Sequence, residues 1–468
     1  MTATAVEAAE MRGARAAAVV CALLAIPATP APAATTKLAP VPRPLVTGPI
    51  TGGIKGHAFN AAPFDLARIG YVENEYFFEG TATAYDLSPV GLAPSGSGAL
   101  PVPAPYRTRM IVRRPINPSR FNGTVVLEWL NVTSGYDFEA SWVEIRREVV
   151  RRGYAWVGVT AQLVGAAALK AVDPVRYATV VHPGDQYSYD IFSQAAKALR
   201  APLGARPMGT LHAKRILAMG ESQSGTTLTN YVNAVYPKVE PVIDGFQPDT
   251  SSGPMPHVHV PVLRIVTEFE GASSTQADSP FYRQWDVAGA SHADKQGGEY
   301  VSQTQNRDFG MPPGVNWPLT PADIPGPNGT CLIGRFPRYL ANHAALDALT
   351  RWVAKGVAPP KAPRMRANAD GSIVRDGNGN ALGGLRLPAI DVPTASYHGE
   401  QSNECAFTLG RTDPFDKAKL HALYPTRARY VSLVDAAATR AQRRGYLLPA
   451  DAAAVRTEAQ GGNAWPGA

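Results

Sequence analysis

The sequence predicts an α/β protein. A mostly parallel central sheet would carry helices on both faces, after an antiparallel β entry and before a long C-terminal extension. Three observations carry this. Between Thr124 and Val287, short apolar runs alternate with helically spaced segments, the rhythm of parallel strands joined by crossovers. One run, Arg215–Met219, leads straight into a glycine-bracketed serine turn. The 468 residues are 45% hydrophobic and 18% charged, a globular composition with enough chain for a sizeable core. Whole-chain disorder, collagen and coiled coil are thereby excluded.

The opening residues read as an export signal. Arg12 and Arg15 precede an apolar run from Ala16 to Ile26, and Ala31-Pro32-Ala33 resembles a cleavage site. The run is too short to span a bilayer, and no later segment is long and apolar enough either. Residues 1–34 are therefore expected to be a signal peptide, and the mature chain to be secreted or periplasmic. Removal of Cys21 leaves Cys331 and Cys405, which in an exported chain suggests one disulfide. Net charge is +7, from 45 Lys and Arg against 38 Asp and Glu. With no run of like charges and no basic stripe, no nucleic-acid partner is expected.

Residues 35–120 read as an extended Pro- and Gly-rich segment and an entry region, with strands at Tyr76–Tyr85 and Tyr106–Arg113. The core is expected over 121–356. Its strands are Thr124–Leu127, Tyr154–Val159, Arg215–Met219, Val242–Phe246, Val260–Val266 and a weaker Arg283–Val287. Its helices are Phe138–Val150, Tyr189–Leu199, Thr226–Tyr236 and Tyr339–Lys355, the last stopped by Gly356 and Pro359. Residues 293–335 are loop-rich and read as a rim or lid. Residues 357–468 form the extension, with hairpin signals and an amphipathic helix from Tyr430 to Ala441.

The strongest chemical signal is Gly220-Glu221-Ser222-Gln223-Ser224-Gly225. A serine is a weak nucleophile until a base takes its proton. A sharp strand-to-helix turn lifts its Oγ clear of the sheet and tolerates only small residues two positions either side. Gly220 and Ser224 meet that need for Ser222. Ser224 as the nucleophile is a poorer fit. A phosphate loop would need a lysine where Thr226 stands.

His292, in V-A-G-A-S-H-A-D, is the best-placed base, because it follows the last core strand. The orienting acid should follow Val260–Val266, where the chain reads Thr267-Glu268-Phe269-Glu270. Glu270 lies further into the loop and is preferred; Glu268 is the alternate, and Asp249 a third choice. The first oxyanion donor would be the N–H of Gln223. The second should come from the loop after Thr124–Leu127, at Asn131 with Leu130 as alternate. His257 and His259 form an H-x-H pair without a third ligand and read as loop. Asp376-Gly-Asn378-Gly-Asn380 lacks the Gly and Glu of a calcium loop and reads as a hairpin turn. The chain order Ser222, Glu270, His292 is that of α/β-hydrolases.

At this point the chain resembles the exported bacterial "alpha/beta hydrolase domain" proteins. The resemblance rests on LEWLNVTSGYD, GYAWVGVTAQ, GESQSG, VAGASHAD, RWVAKGVAPP, GNALGGLRLPAIDVP and LYPTRARYV. It implies an α/β-hydrolase fold and a Ser–acid–His site on Ser222, Glu270 or Glu268, and His292. Relatives often carry Glu then Asp in the acid loop, where this chain has T-E-F-E, so the choice between the two glutamates stays open. The expectation is a serine hydrolase cleaving a small-molecule or polymer ester, with no metal and no organic cofactor. An acyltransferase, a peptidase and a non-catalytic cell-envelope binding protein are the alternatives.

Overall fold

Val125 and Leu127 pack into one hydrophobic cluster while Val126 packs into another. That alternation follows from the period of two along a strand, and it makes the chain a three-layer structure. The computed structural model describes residues 37–85, 102–256, 258–271, 276–310, 324–326, 329–400 and 408–461, without side chains for 324–331. Residues 38–468 form one compact unit. The expected signal peptide lies outside the described residues, as do His257 and Cys405, and the side chain of Cys331 is likewise not described.

The main sheet uses β1 (Leu45–Thr47), β2 (Tyr71–Ala82), β3 (Ala104–Pro115), β4 (Thr124–Trp129), β5 (Ala155–Val159), β6 (Leu203–Gly204), β7 (Arg215–Glu221), β8 (Gly245–Asp249), β9 (Val262–Val266) and β10 (Tyr282–Asp286). Their order is β10-β9-β8-β7-β4-β5-β3-β2-β1-β6. From β10 to β5 every neighbouring pair is parallel. The β2–β3 pair and the β3–β5 junction are antiparallel, which is the β entry read from the sequence. The chain moves from β4 outward to β5, then returns to the other side of β4 as β7. The β4/β7 boundary is thus the point where strand order reverses, where a crevice opens at the carboxyl ends.

On one face lie α1 (Ala140–Arg152) and, later, the long helix that begins at Tyr339. The other face carries α3 (Ser188–Arg200) and α4 (Gln223–Asn230), while α2 (Leu163–Val172) joins a smaller cluster. Downstream come α5 (Lys295–Phe309), α6 (Tyr339–Lys355), α7 (Pro388–Asp391), α8 (Lys417–Leu423), α9 (Arg427–Arg443) and α10 (Pro449–Gln460). Buried Leu346, Leu349 and Trp352 of α6 pack with Leu217 of β7 and Leu263 of β9. The extension ties back onto this face through Leu385, Leu387 and Ile390.

The expected strand Val242–Phe246 lies three residues later, at Gly245–Asp249, and two larger differences from the sequence reading stand out. Residues 293–335 are not a loop-rich rim throughout, because α5 occupies Lys295–Phe309. Its sequence, KQGGEYVSQTQNRDF, is polar and holds two glycines, so local preference argues against a helix. Contacts elsewhere in the chain supply the stability. Asp294 caps the first turn by accepting from the Gly297 N–H (2.7 Å), and Tyr300 is buried, accepting from Trp142 Nε1 (2.8 Å) and donating to Glu139 (3.0 Å). The expected helix Thr226–Tyr236 begins earlier, at Gln223, and passes into a π turn at Tyr231–Val235.

Candidate active site

Ser222 is the single residue between β7 and α4. Its backbone has φ 61° and ψ −119°, a conformation that costs a non-glycine residue energy and persists only where its surroundings enforce it. The enforcement is visible. The Ser222 N–H donates to the Asp249 carbonyl (3.0 Å) and to Thr250 Oγ1 (3.1 Å) at the end of β8. A Cβ on Gly220 would lie 2.7 Å from the Ser224 carbonyl oxygen, and one on Gly225 2.6 Å from the Asp249 carbonyl oxygen. The turn closes so tightly that both positions require glycine.

Ser224 does not open onto the site. It is buried, and its hydroxyl bonds the Glu221 N–H and carbonyl (3.0 Å each). The alternative of Ser224 as nucleophile is thereby disfavoured, since that hydroxyl fastens the turn. Gln223 opens α4, so its N–H belongs to the first turn, which has no intrahelical acceptor.

Glu270 follows β9, and His292 follows β10. His292 Nδ1 lies 2.7 Å from Glu270 Oε1, and the Phe269 ring lies 4.6 Å from the imidazole, centroid to centroid. The other carboxylate oxygen of Glu270 accepts from the N–H (2.8 Å) and hydroxyl (2.6 Å) of Thr267. Burial pushes the Glu270 carboxyl up, but the imidazole contact and the two Thr267 bonds outweigh it. The net result is a carboxyl held below its ordinary range.

Glu268 has a different occupation. Its side chain is fully buried, and it accepts from the Gly289 N–H (2.6 Å), the Gly399 N–H (3.1 Å) and Arg375 Nη2 (2.8 Å). It anchors the His292 loop to the extension. The buried Asp249 carboxylate accepts from Gln247 Nε2 (3.0 Å). Burial, then the neighbouring Glu221 charge, pushes its carboxyl well up.

The second oxyanion donor requires correction. The Asn131 N–H is bonded to the Phe138 carbonyl (2.9 Å) in a bridge that closes the loop after β4. The alternate, Leu130, turns its N–H to the Val159 carbonyl (3.4 Å), continuing the β4–β5 ladder. Asn131 instead clamps the serine turn through its side chain, donating Nδ2 to the Glu221 carbonyl (2.8 Å). One residue further, the Val132 N–H reaches the serine turn, donating to Gln223 Oε1 over a long 3.3 Å.

Beneath the turn sits a buried charge cluster. Arg338 Nη2 donates to Glu144 Oε1 (2.8 Å) and to Glu221 Oε1 (2.9 Å). Asp294, two residues after His292, lies close enough to feel the same charges. Burial pushes the Glu221 and Asp294 carboxyls up, and in both the Arg338 guanidinium works against that.

Ser222, Gln223, Phe269, Glu270 and His292 line one cleft of about 730 Å³. Among the described residues no hydrogen bond joins the serine hydroxyl to the imidazole, though both side chains line the same cleft. Among the described residues no group of three or more His, Cys, Asp or Glu is disposed to hold a metal. Two site features lay outside the sequence reading. Thr250, at φ 43°, carries no local motif; Val132 adjoins Asn131, whose bridge to Phe138 only the folded loop reveals.

A serine lifted from the strand-to-helix turn at the crossover point, with a carboxylate after β9 and an imidazole after β10, defines the α/β-hydrolase class. A family model for the alpha/beta hydrolase domain matches residues 46–457, and the chain belongs to that family. Solved structures with some likeness include an α/β serine hydrolase without lid from Xanthomonas campestris. It is 13% identical, covers 50% of this chain and 93% of its own, with a TM-score of 0.28. A putative dienelactone hydrolase from Klebsiella pneumoniae is 12% identical, covers 50% and 81%, with a TM-score of 0.22. The rice cell wall degrading esterase LipA from Xanthomonas oryzae, in a ligand-bound form, is 14% identical, covers 40% and 45%, with a TM-score of 0.23. Among curated proteins none matches.

Proposed function

We propose that the chain is an exported serine hydrolase that cleaves a carboxylic ester through an acyl-enzyme. The observation that carries this is the 2.7 Å pairing of His292 Nδ1 with Glu270, at a cleft that Ser222 also lines. With Nδ1 held by the carboxylate, Nε2 is the nitrogen left to take a proton.

Ser222 Oγ attacks the ester carbonyl carbon as its proton passes to His292 Nε2. The carbonyl oxygen becomes an oxyanion, received by the Gln223 N–H at the start of α4 and by the Val132 N–H. The Val132 bond to Gln223 Oε1 is long enough for a substrate oxygen to displace it. The C–O bond to the alcohol then breaks, and the imidazolium returns its proton to the leaving oxygen. Water attacks the acyl-enzyme with His292 as base, releasing the acid and restoring the Ser222 hydroxyl. Glu270 holds the tautomer and offsets the imidazolium charge throughout. No step needs a metal or an organic cofactor.

Export over residues 1–34 and a Cys331–Cys405 disulfide complete the reading. N-terminal sequencing of protein recovered from the periplasm or medium tests the first, and non-reducing peptide mapping the second. The chemistry is tested by turnover of p-nitrophenyl esters of graded chain length. Ser222→Ala and His292→Ala are each expected to lower kcat on the order of 10⁴-fold or more. Undiminished turnover by folded Ser222→Ala protein would rule the mechanism out.

A further inference from the structure

The cleft contains a buried positive charge that no carboxylate among the described residues pairs with directly. Arg264 sits on β9, is 3% exposed, and lines the cleft beside Val266 and Ser251. Its Nη1 donates to the Gly253 carbonyl (2.7 Å) and its Nη2 to the Ser251 carbonyl. The Tyr282 hydroxyl is a further neutral partner, and Nε is buried without one.

The acids nearby are spoken for. Glu270 is bound by His292 and Thr267. Asp286 accepts from Gln284 Nε2 (2.7 Å) and from the Met365 N–H (3.0 Å), and its charge reaches Arg264 only beyond ion-pair distance, while Asp249 accepts from Gln247. Among the described residues no carboxylate lies within ion-pair distance of Arg264, whereas the similarly buried Arg109, Arg113 and Arg338 each have two. A buried cation without a counter-ion carries a large desolvation cost. A guanidinium is also the side chain best shaped to receive a carboxylate. The adjoining wall carries the Thr226 and Ser252 hydroxyls, 3.3 Å apart, one of which can turn its proton to the same anion, whereas Ser251 Oγ donates to the Pro248 carbonyl (3.3 Å).

We propose that this cleft binds a carboxylate of the substrate at Arg264, so that the preferred esters carry a free carboxylate, as hemi-esters of short dicarboxylic acids do. The ester part of this statement rests on the hydrolase reading above; the anion site does not. The carboxylate is a recognition group only and takes no part in bond making or breaking.

Two measurements separate the two claims. Glutarate binding to Ser222→Ala protein is measured by calorimetry, with and without Arg264→Gln. Turnover of p-nitrophenyl hemiglutarate is compared with that of neutral p-nitrophenyl valerate. Glutarate is expected to bind, and Arg264→Gln to weaken it roughly 10- to 100-fold. The wild-type enzyme is expected to favour the hemiglutarate by a similar ratio in kcat/KM. Arg264→Gln should lose that ratio, with the larger loss falling on KM for the hemiglutarate.

Because Arg264 also holds the loop at 251–253, Arg264→Lys serves as the second variant. It keeps the charge, and should keep part of the preference. Glutarate binding with no ester turnover would leave the anion site standing and remove the hydrolase reading. Absence of glutarate binding, or equal loss on both esters in both variants, would overturn the anion site.

Discussion

Glu270 reaches His292 across 22 positions of chain, Oε1 to Nδ1 at 2.7 Å, while Glu268, two residues earlier, turns instead into the extension. The chain turns between them, with the Gly271 N–H returning to the Glu268 carbonyl (3.1 Å). The two carboxylates therefore do different work, and substitution should separate them. Glu270→Gln is predicted to lower kcat by about 10³- to 10⁴-fold with little change in melting temperature. Glu268→Gln is predicted to lower the melting temperature and to cost kcat far less. Steady-state kinetics and thermal unfolding of both variants decide it, and the reversed pattern would reassign the acid.

Thr250 holds the serine turn at its own expense. It is a β-branched residue at φ 43°, accepting from the Ser222 N–H. Thr250→Val keeps the strain and loses the acceptor, so it is predicted to destabilise by about 1–2 kcal/mol. Thr250→Gly loses the same acceptor but relieves the backbone, and is predicted to cost less. Denaturant unfolding gives the order; glycine worse than valine would show that φ strain is not the governing quantity.

How much of this was legible in the sequence follows from how local each feature is. The β7–Ser222–α4 turn announces itself because strand, small residues and helix are contiguous in Arg215–Asn230. The parallel core was legible from apolar runs such as Ala155–Val159, and α6 from its stripe and Gly356 stop. Other features depend on distant partners. Helix α5 needs Trp142 and Glu139, and the Asn131–Phe138 bridge removes the expected oxyanion N–H and brings up Val132. Arg264 reads as one charge in an apolar strand, and only its contacts distinguish it from Arg109. Helices α2 and α10 are rich in Ala, which fills core and surface positions alike and so leaves little contrast for a periodic reading.

Arg338 serves two carboxylates beneath the turn, Glu144 and Glu221. Removing it leaves buried acids without their cation. Arg338→Met is predicted to destabilise the protein by about 3–5 kcal/mol. Urea unfolding of the variant measures this; a loss below 1 kcal/mol would mean the cluster is held together by other means.

Buried acids also set the pH of greatest stability. Burial pushes Glu128 up to about 8 and Glu148 up to about 7, and it raises Glu268 and Asp294 too. A carboxyl raised on folding contributes stability that is full below its unfolded value, near 4.3, and is lost as pH climbs through the folded value. Glu270, Asp451 and Glu400 are lowered on folding, Glu400 to about 2, despite burial in each case. Hydrogen bonds to His292, His343 and His398 respectively lead the lowering. Their contribution is present above the unfolded value and is lost as pH falls. Stability is therefore predicted to peak near pH 5 and to decline toward pH 8. Thermal unfolding across pH 3–9 tests the sign, and a maximum at pH 8 would contradict it.

Everything proposed for the catalytic cycle requires that one hydroxyl, at position 222, be an activated nucleophile. The most direct test is a fluorophosphonate probe applied to the folded protein, followed by peptide mass spectrometry. A phosphonyl adduct is expected on Ser222 alone, absent in Ser222→Ala and greatly slowed in His292→Ala. An unlabelled Ser222 in folded protein, or labelling that survives its replacement, would contradict it.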